Sequence, residues 1–531
     1  MSASVNPVSE KAVFDDKANY PEGEDDVQEV APEKHVHLTV ADMLKGTASH
    51  DLTPFERKAA LINAEIDKMG FGKYQKCIWL LCGFGYFLDL AWAQGVGLTA
   101  SAIYIGAFSF GIISDIFGRK WAFNLSCLIT SIFGMLLAAS KTNYGAVCGI
   151  YFLCCIGLGG NIPIDATIAL EFLPQNRRSL VSLLSLWQPV GVVVASAIAY
   201  GTAAKYRCDV KLPACSAVGK GEACCTTSSN MGWRYEVIVI GLMTLAVFFL
   251  RFFVFKFHES PKFLLGKGRY QEAIDVLHRI AKYNGAAEPT LTVEDFHEVD
   301  RTLRINSIDR AAGSSAKDVV LRTFKSVGFL RGLFLNKLEC VTFILLALAY
   351  MGDYWSFNLA GSFLPIVLLK NNVSSGADTV TDTYREYVYI YLPGVIGAII
   401  ALFSVQLPLV GRKWSLVISA ALQGLSMAMY TQVKTTAGYV GLNALEYIMQ
   451  TYFNAVLYAS APEMFDTTYR ASASGMLSCL GRLAGIVAPF AGQNYIGENS
   501  AGILWLGAGG IWLSSFVMCF LPIEMRNRQM F

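Results

Sequence analysis

A cluster of charged residues occurs twice in this chain, at nearly the same spacing, within otherwise apolar sequence. Each copy begins with Gly-Arg-Lys, has a Glu 52 or 51 residues after the Arg, and ends with an Arg seven residues after that Glu. The copies are Gly118-Arg119-Lys120 with Glu171 and Arg178, and Gly411-Arg412-Lys413 with Glu463 and Arg470. A membrane transporter built from two similar halves needs the same charged contact in each half. The duplication therefore predicts two structurally related halves.

The composition places most of this chain in a lipid bilayer. Apolar residues make up 54% of the sequence and charged residues only 16%, whereas soluble domains carry roughly 25% charged residues. The net charge of +2 gives no indication of a nucleic-acid partner. The lipid bilayer is therefore the first partner that the sequence predicts.

Twelve apolar segments are long enough, or nearly long enough, to span a bilayer, and six lie on each side of a polar stretch at 258–337. This pattern predicts an all-α membrane protein in five parts. They are a largely disordered cytosolic tail (1–75) with a short helix at 54–69, a six-helix bundle (76–257), a cytosolic linker with an amphipathic helix (258–337), a second six-helix bundle (338–522) and a cytosolic tail (523–531).

The first two spans have unusually little sequence. Residues 77–117 provide 41 residues for two crossings, each of which needs about 20 residues. Almost nothing is left for the turn between them. We therefore expect one of these helices to be strongly shortened, or broken near Gly95–Gly97.

The distribution of charged residues predicts the orientation. The two Gly-Arg-Lys clusters and the Arg residues near 177, 470 and 526 fall on one face if the spans alternate, and this face is expected to be cytosolic. The opposite face carries four cysteines in one polar loop, with no His that would complete a zinc site. One or two disulfides of open connectivity are expected among Cys208, Cys215, Cys224 and Cys225. The same face carries a glycosylation pattern at Asn372.

Five of the charged residues inside the predicted spans stand out, because charges at that depth are costly and usually functional. They are Asp89, Asp165, Asp353, Glu446 and Arg482. If transport is coupled to protons, a carboxylate must carry the proton, because all six His residues lie outside the spans. Asp89, Asp165 and Asp353 are the candidates. The alternative is a structural pair that neutralises itself, such as Arg482 with Asp353 or Glu446.

Several motifs resemble those of the major facilitator superfamily. The segment 111–120 is similar to its signature between the second and third helices, and 259–264 and 462–465 resemble its sugar-porter branch. Residues 157–178 are similar to fungal transporters related to synaptic-vesicle proteins and phosphate–proton symporters. The resemblance implies two pseudo-symmetric six-helix bundles that rock around a central solute site. The paired glutamines that true hexose porters have in the seventh helix are missing.

In a protein of this kind, we interpret the charged clusters as a cytosolic latch. Ion pairs across the seam between the halves would hold the cytosolic side of the transporter closed. The alternative is a set of basic residues that only fixes topology. We call these the latch residues: Asp115, Arg119, Glu171, Arg178, Arg412, Glu463 and Arg470. The expected solute-binding residues are Trp187 and Gln188, which resemble a position of the sugar branch, with Asn358, Glu446 and Arg482.

The predicted function is transport of a small polar solute, a sugar or polyol, with protons, by a monomer at the plasma membrane. One alternative is a phosphate or carboxylate symporter in which Arg482 binds the anion. Another is a nutrient receptor or scaffold that does not transport. We expect no enzyme activity, cofactor or metal site, because the sequence contains no set of a nucleophile with a base and no metal-ligand cluster.

Overall fold

A computed structural model describes residues 54–96, 102–140, 144–208, 212–213, 215, 223–226, 228–302, 334, 337–370, 387–433, 435–465, 469–495 and 500–522. Most of the predicted N-terminal tail, the glycosylation pattern at Asn372, Gly97 and the C-terminal tail lie outside these residues. No β-strand occurs among the described residues, which are mainly helical. This confirms the predicted fold class.

Twelve helical crossings follow one another along the chain, and most of them coincide with the apolar segments. In order, they are Lys73–Val96, Ala102–Phe117, Arg119–Ala139, Tyr144–Gly159 with Asn161–Phe172, Ser179–Ser182 with Leu183–Leu186 and Trp187–Gly201, Gly232–Phe249 with Leu250–Val254, Lys337–Lys370, Gly394–Ser404, Gly411–Met429, Thr436–Glu463, Arg470–Gln493 and Ser500–Met518.

Nine helices among the described residues are long and apolar enough to cross a membrane. The second crossing is the short one that the sequence predicted, with 16 residues over Ala102–Phe117. The ninth and tenth crossings have 19 and 28 residues but carry more Ser, Thr, Asn and Gln. The tenth crossing therefore places polar side chains at membrane depth, as expected of a helix that lines a cavity.

The packing of the crossings repeats in the two halves. In the first half, the first crossing packs against the fifth, the second against the fourth, and the third against the sixth. In the second half, the seventh packs against the eleventh, the eighth against the tenth, and the ninth against the twelfth. The same three pairings, shifted by six helices, show the internal pseudo-symmetry that the duplicated cluster predicted.

The seam between the halves is formed by two equivalent helix pairs. The second crossing packs against the eleventh, and the start of the fifth crossing packs against the eighth. At one end of the first pair, Gly475 lets the backbones meet, since a Cβ there would lie 2.4 Å from the carbonyl oxygen of Ala107. Small residues allow such close approach between membrane helices. The halves are therefore in tight contact at the end that carries the latch residues, which we call the latch face.

A helical layer covers the latch face. It contains the helix Pro54–Met69 and the linker helices Pro261–Gly266, Tyr270–Asn284 and Val293–Thr302. Apolar residues of Pro54–Met69, among them Ile62, pack against linker residues that include Leu277 and Phe296. Lys58 reinforces the contact through an ion pair with Asp300 at 2.6 Å. The amphipathic face predicted for 270–283 is thus buried between the N-terminal helix and the first bundle.

The polar loop between the fifth and sixth crossings contains two disulfides. Cys208 is joined to Cys225, and Cys215 is joined to Cys224. The sequence predicted one or two disulfides among these four cysteines and left their connectivity open. The loop lies at the end of the bundle away from the latch face.

Candidate functional site

A central cavity of about 240 Å³ lies between the two halves. Its wall includes residues of the first, fourth and fifth crossings on one side and of the seventh, eighth, tenth and eleventh crossings on the other. Pockets for drug-sized ligands measure about 300–1,000 Å³, so this cavity suits a smaller solute. A site built by both halves is the arrangement that alternating access requires.

One ion pair on the cavity wall joins the two halves. Asp89 of the first crossing and Arg482 of the eleventh approach to 3.5 Å between Oδ1 and Nη2. This distance is too long for a good hydrogen bond, and the two atoms make no hydrogen bond to any described residue. Arg482 also donates a hydrogen bond from Nε to Ser478, at 3.2 Å, and lies over the ring of Tyr354. The structural pair suggested from the sequence, Arg482 with Asp353 or Glu446, is therefore replaced by a pair with Asp89.

Asp353 also lines the cavity, but it lies in a different electrostatic environment. Its side chain is almost completely buried, and Oδ1 has no hydrogen-bond donor among the described residues. Glu446 lies behind the wall rather than in it and accepts a hydrogen bond from Gln423 at 3.3 Å. The expectation that Glu446 contacts solute directly is therefore not supported by its position.

Asp165 belongs to a buried ion pair away from the cavity. Its Oδ2 lies 3.3 Å from Nη2 of Arg251, a fully buried residue just after the helix Gly232–Phe249. The guanidinium also donates to the carbonyl oxygens of Leu81 and Phe123 and stacks on the Phe123 ring. These contacts tie four crossings of the first half together, and Asp165 does not line the cavity.

The predicted amides reach the cavity and the predicted indole does not. Gln188 and Asn358 both line the wall. Nδ2 of Asn358 donates to the carbonyl oxygen of Tyr354, one turn earlier, at 2.8 Å. Trp187 points instead into the packing of the first bundle, against Trp79 and Phe84. This corrects the expectation that Trp187 stacks on a solute.

The first copy of the latch is a compact, buried cluster within one half. Arg119 lies 3.0 Å from Glu171 and 3.2 Å from Asp115, and all three side chains are buried. The carboxylate of Glu259 accepts hydrogen bonds from the backbone N–H groups of Arg119 and Lys120, at 2.8 and 3.2 Å. A carboxylate at this position satisfies free donors at the start of a helix and complements its dipole.

The second copy has a similar ion pair within the other half. Nη2 of Arg412 donates to Oε1 of Glu463 at 2.7 Å. Arg470 donates from Nε to the carbonyl oxygen of Phe465 at 3.2 Å. The Arg119–Glu171 and Arg412–Glu463 pairs therefore each lie inside one half, and the charge-assisted pairs across the seam that the sequence suggested stay a prediction.

Other contacts cross the seam at the latch face. Oδ2 of Asp115 accepts a hydrogen bond from the backbone N–H of Ser472, at 2.7 Å, at the start of the eleventh crossing. Nε2 of Gln406 donates to the hydroxyl of Ser179 at 3.0 Å. Arg178 is buried and lies within electrostatic range of Glu463 in the opposite half. Two latch residues of the first half, Asp115 and Arg178, thus face groups of the second half directly.

Two linker residues next to the latch have shifted pKa values. Burial raises the pKa of Glu259, and the charge of Arg119 and backbone hydrogen bonds partly offset this shift. Burial lowers the pKa of Lys262 well below its usual value, and the positive charges of Arg178 and Arg470 lower it further. Lys262 therefore brings a third cation to a place where two buried arginines already lie.

The sequence analysis missed Arg251, Glu259 and Lys262. Arg251 lies within the sixth apolar segment, away from its ends, and that position alone calls for a buried carboxylate partner. Glu259 and Lys262 belong to the motif at 259–264, which was used only for its resemblance. Their contacts with the latch depend on how the linker folds back, and no local pattern indicates this.

Comparison with known proteins identifies the kind of chain in which this geometry occurs. A family model described as "Sugar (and other) transporter" matches residues 48–531. The MFS siderochrome iron transporter 1 of Ceriporiopsis subvermispora is 33% identical over 89% of this chain and 92% of its own length. An uncharacterized MFS-type transporter of Schizosaccharomyces pombe is 30% identical over the full length of both chains.

The solved structures show the same fold at lower sequence identity. A structure of the proton:xylose symporter XylE bound to 6-bromo-6-deoxy-D-glucose has a TM-score of 0.61 with this chain at 18% identity. The match covers 86% of this chain and 98% of that one.

Proposed function

The chain belongs to the sugar transporter family of the major facilitator superfamily, and from this premise we propose that it carries a small sugar or polyol together with protons. It is a multi-pass membrane transporter. In this proposal it acts as a monomer at the plasma membrane, and the two halves rock to expose the central cavity to each side in turn.

The observation that carries the proposal is the Asp89–Arg482 pair on the cavity wall. The pair joins the two halves and lies where a solute would contact it. When Asp89 takes up a proton, its carboxylate becomes neutral and Arg482 loses the charge that holds it. A change of charge at this point can therefore alter the contact between the halves and the polarity of the solute site together, and this supports proton coupling.

The polar groups of the wall favour a solute rich in hydroxyl groups. Gln188 and Asn358 are amides, which can both donate to and accept from a hydroxyl group. In the tenth crossing, the amide oxygens of Gln450 and Asn454 have no donor among the described residues. Aromatic rings such as Tyr354 complete the wall and can pack on the apolar face of a sugar ring.

Asp165 has a structural role in this proposal. Its pairing with Arg251 inside the first bundle, away from the cavity, supports this assignment over a place on the proton path. Asp89 is therefore the proton carrier that we propose, because it reaches the cavity and its oxygen Oδ1 makes no hydrogen bond to the described residues.

The test is Asp89→Asn in vesicles that contain the purified protein. The amide preserves the shape of the side chain but cannot carry a proton. Uptake of the labelled solute against its gradient, driven by a proton gradient, should be abolished, while exchange of labelled for unlabelled solute continues in part. Asp275→Asn, in the linker helix outside the bundles, is the matched control and should behave as the parent protein. Full concentrative uptake by Asp89→Asn would remove Asp89 from the proton path.

Arg482 favours a second candidate, a symporter for phosphate or a carboxylate. Protonation of Asp89 would leave the guanidinium as an anion site on the cavity wall. Uptake of labelled phosphate, a small carboxylate and a panel of sugars into the same vesicles separates the two candidates. Accumulation of the anions alone, lost in Arg482→Gln, would replace the sugar or polyol by an anionic solute.

A further inference from the structure

The four acidic residues that the sequence analysis placed inside the spans fall into two classes. Asp89 and Asp165 are each paired with a buried arginine, Arg482 and Arg251. Asp353 and Glu446, in the seventh and tenth crossings, form no ion pair with a Lys, Arg or His of the described chain. The second half therefore presents two buried carboxyl groups that have no cationic partner among the described residues.

Of Asp353 and Glu446, only Asp353 lies where a solute can reach it. It lines the cavity with 2% of its surface exposed, and its oxygen Oδ1 accepts no hydrogen bond from a described residue. Glu446 lies close enough behind the wall for its charge to act on Asp353. A buried carboxylate without a donor or counter-charge is costly, so a ligand that supplies both would be stabilised here.

A neutral side chain in the same wall also lacks a donor. Only 4% of the surface of Gln450 is exposed, and its oxygen Oε1 has no hydrogen-bond partner among the described residues. It lines the cavity together with Asp353. Two independent groups of the second half, a carboxyl group and an amide, therefore offer acceptor oxygens to the cavity.

Aromatic rings of the second half face the same cavity. Tyr391 and Tyr447 lie in the wall with their ring centroids 4.6 Å apart and their planes nearly perpendicular. The faces of tyrosine rings attract cations, and such rings beside carboxylates are the usual surroundings of organic ammonium groups. A metal ion is less suited, because the described residues contain no group of three His, Cys, Asp or Glu side chains placed to hold one.

We propose that the transported solute carries a protonated amine that binds at Asp353, between Gln450 and the tyrosine pair. The proposal rests on the function proposed above, in which this cavity is the solute site, and narrows the solute to an amino sugar or amino alcohol. The ammonium group donates hydrogen bonds to the carboxylate and amide oxygens, while the hydroxyl groups contact Gln188 and Asn358. Asp89 and Arg482 remain free for proton coupling.

The experiment compares ligands that differ only by an ammonium group in place of a hydroxyl group. The thermal stability of the purified full-length protein is measured against D-glucosamine and D-glucose, and against 3-amino-1,2-propanediol and glycerol. In each pair, the concentration that gives half-maximal stabilisation should be at least about tenfold lower for the amine than for the alcohol, because a charge-assisted contact replaces a neutral one. This preference should disappear in Asp353→Asn and weaken in Glu446→Gln.

The ligand comparison on the unmutated protein tests the proposal by itself, so the test does not depend on whether the variants fold. If neither amine stabilises the protein better than its alcohol partner, the proposal is overturned. It is also overturned if both variants fold and keep the full preference, since the amine would then bind elsewhere. If glucose binds as well as glucosamine and Asp89-dependent uptake is observed, the proposed function stands and only this inference fails. If none of the four ligands binds, this inference fails together with the assignment of a sugar or polyol as solute.

Discussion

The two copies of the latch are nearly identical in sequence spacing and unequal in structure. Arg119 in the first copy contacts two carboxylates, Asp115 and Glu171, and its side chain is 1% exposed. Arg412 in the second copy contacts Glu463 and is 11% exposed. Three residues before the Gly of each copy, the first has Asp115 and the second has Pro408. The second copy therefore lacks the carboxylate that, in the first, reaches across the seam.

This difference shows how a duplicated motif can form one asymmetric gate. The first half supplies Asp115, whose carboxylate accepts from the backbone of Ser472. The second half supplies Glu463, whose negative charge acts on Arg178. Each Arg–Glu pair keeps its own half rigid, and a different group in each half makes the contact across the seam. The two copies thus share the Arg–Glu pair inside each half, but they differ in the group that contacts the other half.

The largest expected effect comes from separating the two halves sterically. In Gly475→Val, the added side chain would meet the carbonyl oxygen of Ala107, 2.4 Å from the new Cβ, and backbone cannot move aside without opening the seam. Overpacking of this kind should shift the equilibrium toward the state open at the latch face by about 150-fold. Uptake should be lost. Labelling of a cysteine introduced at the buried Ser474 should rise, measured against the same variant without that cysteine.

Gly149→Val is the control for this prediction. Gly149 lies on the fourth crossing, and a Cβ there would meet nothing within 4 Å. Both uptake and labelling should match those of the parent protein. Normal uptake in Gly475→Val would mean that the second and eleventh crossings need not touch during transport, and that the gate lies elsewhere.

A smaller effect should distinguish the two copies directly. Glu463→Gln removes the partner of Arg412 and the charge that acts on Arg178 across the seam. Glu171→Gln leaves Arg119 in contact with Asp115. Cysteine labelling at the latch face should therefore increase by about tenfold in Glu463→Gln and by less in Glu171→Gln. Equal increases would show that the copies are functionally equivalent, and no increase in either would mean that these pairs do not hold the gate closed.

Hydropathy and the duplication were sufficient to predict the architecture. Apolar runs of about 20 residues have few alternatives to membrane helices, and the two Gly-Arg-Lys clusters fixed the relation between the halves. Even the shortened second helix followed from counting residues between Cys77 and Phe117. These features depend on composition and length, which are read directly from a sequence.

The pairing of charges inside the bundle could not be predicted in the same way. Asp89 pairs with Arg482 and Asp165 with Arg251, at separations of 393 and 86 residues. Which partners meet depends on the rotation of each helix about its axis, and a hydropathy pattern does not determine that rotation. A more complete survey of isolated charges would have found Arg251 as a candidate, but only the packed bundle shows which carboxylate it meets.

The smallest effect that we predict concerns Lys262, which adds a third cation beside Arg178 and Arg470. Because its pKa is lower in the folded protein than its usual value near 10.5, ionised Lys262 destabilises the closed latch face. This penalty is present at neutral pH and disappears as the pH rises through the lowered pKa toward 10.5, where the lysine becomes neutral in the unfolded chain as well. Lys262→Met should therefore raise the melting temperature, because it removes a buried charge that the folded state disfavours.

The dependence on pH separates this effect from improved packing. The gain in melting temperature should be largest near pH 7 and should shrink toward pH 10, because only the parent protein becomes more stable as Lys262 loses its charge. Lys282→Met is the matched control, since Lys282 is an exposed residue in the last turn of the linker helix Tyr270–Asn284, and it should change stability little at any pH. A gain in Lys262→Met that is independent of pH would assign the effect to apolar packing. A loss of stability would mean that Lys262 is held by the anions Glu171 and Asp67 more strongly than it is repelled by the two arginines. Lys262 would then stabilise the closed seam at the first copy of the latch, as Asp115 does.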